Sequence, residues 1–292
     1  MRAAYAALIL GIVGGLWLAS RVLSAGVASA STTVAATLAV DVDATDLDAR
    51  RSEAVAVLVA RCMNARGLAW QPWIETAPSV PDAELEPVAW AERWGFGVST
   101  TLGRPRISPP ADRNLTAVDA MPADMQARYR DALYGTAADD PGCQRSANDT
   151  VYGLRERFLA PLRHALTDLD AGIAADPRAI HAVDEWRLCV APIAGPDRPE
   201  RRTLAQQLIA RFQARVDAIG TTPAGMAGQL ALQTDERRVA ATLARCEARF
   251  AESRASVSAP FEAAFVTRHR EELTRIGTAI RDAEAALPTM PP

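Results

Sequence analysis

Along most of this chain apolar residues return every three or four positions, the spacing of a helix that buries one face. Between Asp46 and about Ala65 the stripe is Val55, Leu58, Cys62 and Ala65, with Thr45 placed as an N-cap and Gly67 as a stop. Leu68 to Ile74 lacks that spacing and is expected to be extended. A short helix then carries Leu85, Trp90 and Trp94 and ends at Gly95-Phe96-Gly97. Pro105, Pro109 and Pro110 make Val98 to Ala120 a loop, because proline cannot donate to a helix ladder. Pro122 to Leu133 is another short helix, with Met125, Tyr129 and Leu133 on one face.

The patterns then lengthen. One runs from Pro141 and Gly142 to about Ala174 on Val151, Leu154, Phe158, Leu162, Leu166, Leu169 and Ile173, with Pro161 as a kink. Asp176-Pro177 is an N-cap followed by proline at the first helical position. The helix it starts carries Ile180, Val183 and Cys189 and ends near Pro192 and Gly195. A further helix spans Pro199 to Ile219, with Leu204, Leu208 and Phe212 inward and Gly220 as its stop. The last pattern extends from near Asp235 to about Ala286, through Val239, Leu243, Cys246, Phe250, Val257, Phe261, Phe265, Leu273, Ile276 and Ile280, with Pro260 as its kink.

The expected fold is therefore all-α: an irregular helical bundle with two long proline-kinked helices, paired as an antiparallel hairpin. A degenerate internal duplication is also expected. Each half has a helix ending in a cysteine block followed by glycine (Gly67, Gly195), then a long helix with a second cysteine (Cys143, Cys246). Ala160-Pro161-Leu162-x-x-Ala165-Leu166 is echoed by Ala259-Pro260-Phe261-x-x-Ala264-Phe265. The expected organisation is a leader at 1–30, a tether at 31–45, a first helical half at 46–175 with the Trp-rich region, a second half at 176–287, and a tail at 288–292.

The leader has Arg2, an apolar run from Ala3 to Ala19, Arg21, and Ala28-Ser29-Ala30 before Ser31. It reads as a signal peptide cleaved after Ala30 or as an uncleaved N-terminal membrane anchor. Both put the remainder outside the cytoplasm. Composition adds exclusions. All 32 basic residues are arginine, so a phosphate-binding Walker lysine and a Schiff-base lysine are ruled out. A net charge of −3 argues against nucleic acid as a partner. Aromatic residues are only 5%, which leaves alanine, leucine and valine to fill the core and favours helices.

The four cysteines allow three disulfide connectivities. The repeat favours Cys62–Cys143 and Cys189–Cys246, giving each half its own staple. Loops of about 80 and about 57 residues would each contribute roughly 4 kcal/mol in the chain-entropy account. A mixed pairing such as Cys62 with Cys189 would defeat the two-staple reading. Cys62-Met63-x-x-x-Gly67, Trp94-Gly95-Phe96-Gly97-Val98-Ser99-Thr100-Thr101, Ala132-Leu133-Tyr134-Gly135 before Gly142-Cys143, and Glu236-x-x-Val239-Ala240 before Cys246 form scattered blocks over most of the chain. In these the sequence resembles a group of secreted or membrane-anchored helical proteins of actinobacteria with four disulfide-forming cysteines and no assigned activity. The resemblance implies export and disulfides and no catalytic residues. The chain departs from it in lacking a lipid-attachment cysteine near the leader and in having Pro192 after Cys189.

Little else suggests chemistry. His181, Asp184 and Glu185 could place an imidazole beside two carboxylates, whereas His164 and His269 read as surface residues. Asp139-Asp140 and Asp41/Asp43 read as a cap and as part of the tether. No catalytic site, cofactor or metal set is expected. Trp70, Trp73, Trp90 and Trp94, with Phe96, crowd one stretch of an aromatic-poor chain and form either a small core or an apolar partner surface. The expected function is non-enzymatic binding or structure in the cell envelope or outside it, with an envelope protein or cell-wall ligand as partner. Two alternatives are an exported hydrolase or lyase using His181, Asp184 and Glu185, and an accessory subunit of an envelope transporter or secretion complex.

Overall fold

The computed structural model describes residues 44–74, 82, 85–100, 112–136, 139–195, 199–219 and 223–290. Among these residues every regular element is helical, so the fold is all-α. In chain order they are α1 (Ala44–Ala65), α2 (Pro87–Trp94), α3 (Arg113–Asp119), α4 (Ala123–Tyr134), α5 (Gly142–Val151) and α6 (Leu154–Leu159). A 3-10 turn (Ala160–Leu162) follows, then α7 (Arg163–Ala175), α8 (Pro177–Ala194), α9 (Arg201–Ala218), α10 (Pro223–Arg268) and α11 (Arg270–Ala285). The leader, the tether up to residue 43, residues 101–111 of the Pro-rich loop and the Gly220 stop lie outside the described residues. No described helix is long and apolar enough to cross a membrane.

Several boundaries differ from the sequence reading. α3 lies inside the stretch expected to be all loop; Asp112 caps it by accepting the Asn114 N–H at 2.8 Å. The first long helix is broken into α5, α6, the 3-10 turn and α7, and its first break is at Tyr152-Gly153. There the Arg157 guanidinium donates to the carbonyls of Asp149 (2.7 Å) and Thr150 (2.9 Å) in the last turn of α5. The last long pattern begins at Pro223 rather than Asp235, runs through Pro260 as helix, and is interrupted at His269.

The chain divides into two compact units that draw on alternate segments. One takes 79–105 and 169–264, the other 34–78, 106–168 and 265–292. The expected halves at 46–175 and 176–287 are contiguous, whereas each unit takes segments from both.

The first unit centres on α10. Val239, Ala240, Ala241, Leu243, Ala244, Cys246 and Glu247 are all buried, so this stretch buries more than half of its circumference and keeps one face, with Arg238, Arg245 and Arg249, exposed. Its alanines let neighbouring helices come close. α9 contributes Leu204, Ala205, Leu208 and Phe212, and Phe212 meets Phe96 with ring centroids 5.9 Å apart. α8 buries Ala179, Ala182, Trp186, Val190 and Ile193. Ile180, expected on the inner stripe, is instead 52% exposed, because the buried face is the one set by Trp186.

The second unit packs α1 against α5 and both against α4. Its core includes Val59, Met63, Leu68, Trp70, Tyr129, Leu133 and Cys143. α11 packs on α6 and buries Leu273, Ile276 and Ile280. Arg51 on α1 pairs with the buried carboxylate of Glu284 on α11.

Candidate functional site

The disulfides pair as the repeat suggested. Cys62 bonds Cys143 within the second unit, Cys189 bonds Cys246 within the first, and no cysteine is free. Next to Cys143 the backbone is crowded. Gly142 has φ +72, and a Cβ there would lie 2.3 Å from the Gly135 nitrogen, so the Gly-Cys pair requires glycine.

Of the four tryptophans singled out, Trp70, Trp90 and Trp94 pack in or against a core. Trp70 is 8% exposed and lies against Tyr129, ring centroids 6.4 Å apart, in the second unit. Trp90 (4%) and Phe96 (1%) lie in the core of the first. Trp94 packs on the edge of that core and donates its indole N–H to Asp82 at 3.0 Å. Trp73 is half-buried. The Trp90 indole nitrogen is buried and has no hydrogen-bond partner among the described residues.

His181, Asp184 and Glu185 lie along α8 on its outer side. His181 Nε2 is 3.3 Å from Glu185 Oε1, with both side chains mostly exposed, and Asp184 is held by Arg187 at 2.8 Å. These are pairs within a single helix in water, where such contacts stabilise little. His269 is half-buried with its ring 4.6 Å from that of Phe265, and His164 lies on α7. Among the described residues no cluster of His, Cys, Asp and Glu could hold a metal ion.

Two buried glutamates, neither singled out by sequence reasoning for chemistry, organise the first unit. Glu236 has no exposed surface. It occupies a core register on α10, between Leu232 and Val239. Its Oε1 accepts the backbone N–H groups of Phe96 and Val98, both at 2.8 Å. Its Oε2 accepts the N–H of Ser99 at 2.6 Å and the Ser99 hydroxyl. Gln233, one turn earlier, donates to the Ser99 carbonyl at 3.0 Å, and the Thr100 hydroxyl donates to the Trp94 carbonyl at 2.6 Å. The turn that aims these amides starts at Gly95, φ +65, where a Cβ would lie 2.9 Å from Glu236 Cγ. The signal available in the sequence was an acidic residue in the middle of an apolar stripe.

Glu247 is the second. It accepts the Trp186 indole N–H at 2.9 Å and Arg201 Nε at 2.8 Å. The Arg201 guanidinium lies 4.4 Å from the centroid of the Phe250 ring. Both glutamates thus have hydrogen-bond donors from the scaffold, the condition under which a buried carboxyl is tolerated.

A shallow groove of about 310 Å³ lies along the Cys189–Cys246 disulfide, between α8 and α10. Both cysteines line it, as do Glu185, Arg249, Glu252 and Ser253, with Trp186 and Phe250 beneath.

Three exposed or partly exposed aspartates hold their protons unusually weakly. Hydrogen bonds from the Arg66 guanidinium and then from the Gly142 N–H keep Asp140 below the ordinary 3.8. The Arg178 side chain and then its N–H do the same for Asp176, the cap of α8. For Asp235 burial pushes upward most strongly, but hydrogen bonds from Arg215 and Arg238 together outweigh it.

No known protein family, curated protein or solved structure matches this chain.

Proposed function

We propose that this chain is an exported protein of the cell envelope or the extracellular space that acts by binding, without a reaction of its own. The observation that carries this reading is the pair of disulfides, each closed within a single unit, with no thiol left over. Disulfides persist in oxidising compartments and are rare where thioredoxin and glutathione keep thiols reduced. The leader, with Arg2, an apolar run and Ala28-Ser29-Ala30, supports the same location. Against catalysis stands the use of the buried acids: Glu236 and Glu247 hold backbone, indole and guanidinium groups in place. The His181–Glu185 pair is open to water. Since Trp70, Trp90 and Phe96 serve the cores, contact with a partner falls to the exposed helix faces.

N-terminal sequencing and non-reducing peptide mapping of the protein recovered from its host test the location. The expected result is a culture-fluid or envelope-bound chain with both disulfides intact; a cytoplasmic chain with free thiols would refute it. Sedimentation of the purified protein with isolated cell wall, and cross-linking in intact envelopes, test the binding. Saturable retention in either is expected, and retention in neither counts against a binding role.

A further inference from the structure

We propose that the Cys189–Cys246 disulfide is a thiol-exchange site, opened in the folded protein by a low-molecular-weight thiol that enters the groove along it. Both of its cysteines line solvent-accessible space, and that space is the size of a small molecule. Entry is at Cys189, which is half-buried, whereas Cys246 is 1% exposed.

The charges around the groove favour the exchange on one side. Arg249 lies three residues after Cys246, on the same helix face. It is exposed and forms no hydrogen bond or ion pair with another described residue. A cation there attracts an incoming thiolate and stabilises a leaving one. Glu185 and Glu252 also line the groove and oppose an anionic visitor; Glu185 faces His181.

The step is a balanced displacement. The external thiolate attacks Cys189 Sγ, a mixed disulfide forms at Cys189, and Cys246 leaves as the thiolate. A second external thiol can then attack the mixed disulfide, release the small-molecule disulfide and leave both cysteines reduced. The other disulfide has the same exposure pattern, with Cys62 half-buried and Cys143 without exposed surface, so the expected difference in rate rests on the groove and on Arg249.

The test uses the oxidised protein without denaturant, exposed either to neutral 2-mercaptoethanol or to anionic 2-mercaptoethanesulfonate. Trapping by alkylation and peptide mapping then follow each cysteine. Cys189–Cys246 is expected to open at least tenfold faster than Cys62–Cys143, at a rate linear in thiol, with the adduct on Cys189. Arg249→Glu should slow the anionic thiol severalfold more than the neutral one. Opening of Cys62–Cys143 first, or of both bonds together as in global unfolding, overturns the proposal. Equal effects of Arg249→Glu on the two thiols would remove the assigned role of Arg249.

Discussion

The two units secure a segment without regular structure in different ways. In the first, one carboxylate holds 96–99: Glu236 accepts three backbone N–H groups and a hydroxyl. In the second, two carboxamides hold 70–71. The Asn64 side chain accepts the Trp70 N–H at 2.9 Å and donates to its carbonyl at 3.0 Å. Asn114 does the same for Gln71, both at 2.9 Å. The chemistry of the side chain decides the shape of the segment. An ionised carboxylate only accepts, so the chain must turn its N–H groups inward, which Gly95 permits. A carboxamide donates and accepts, so it pairs with an extended residue as a neighbouring strand would. The first solution places an acidic side chain at the core of a unit, and the second does not.

Perturbations can break or sharpen this contrast. The largest expected effect belongs to what the units share. Replacing both cysteines of either disulfide by alanine removes a closed loop of sequence separation 81 or 57 and should cost about 4 kcal/mol in urea unfolding. Loop entropy grows only with the logarithm of length, so near-equal losses are expected. A large inequality would show that native packing, not chain entropy, separates the two staples.

Glu236→Gln comes next. It turns an amide NH₂ toward backbone donors and should cost about 3 kcal/mol, with hydrogen exchange accelerating at Phe96, Val98 and Ser99. Asn114→Ala loses two bonds to a partly buried backbone and should cost about 2 kcal/mol, with faster exchange at Gln71. If the two substitutions cost the same, the distinction between a carboxyl and a carboxamide clasp carries no energetic weight.

The smallest effect is the response to acid. Asp140, Asp176 and Asp235 bind their protons more weakly folded than at the ordinary 3.8 of a free side chain. Their contribution is therefore complete above that value and is lost as pH falls through the lowered folded values. Unfolding free energy measured between pH 5 and about pH 2 should fall, and Asp140→Asn should flatten the part due to the Arg66 contact. An unchanged acid slope in that variant would show that the pair at 3.1 Å contributes nothing.

Much of the helical layout was legible because its signals are local. The Asp176-Pro177 start is realised, with Asp176 accepting the Arg178 N–H at 2.8 Å, and α2 ends at Gly95 as read. The cysteine pairing is the one preferred among the three possible. The tryptophan question was posed by composition but not answered by it, since the same residues suit a core or a surface. His181, Asp184 and Glu185 looked like a cluster because they are close in sequence. On the folded helix they make separate pairs in water.

The proline motifs mark the limit most clearly. Ala160-Pro161-Leu162 forms a 3-10 turn, while Ala259-Pro260-Phe261 lies inside a 46-residue helix. Proline removes one donor wherever it stands, and the surrounding contacts decide whether the helix survives. Val257 and Phe265 are buried on either side of Pro260, and that packing accompanies an unbroken helix. By itself the sequence determined the helical periodicity and the Asp176 cap, because both depend on spacing along the chain, and it narrowed the cysteine pairing to a preference among three. The tertiary structure alone decided the role of Glu236, whose first donor is 140 residues away in sequence. A carboxyl at a core register is unfavourable until folding brings that segment's N–H groups to it.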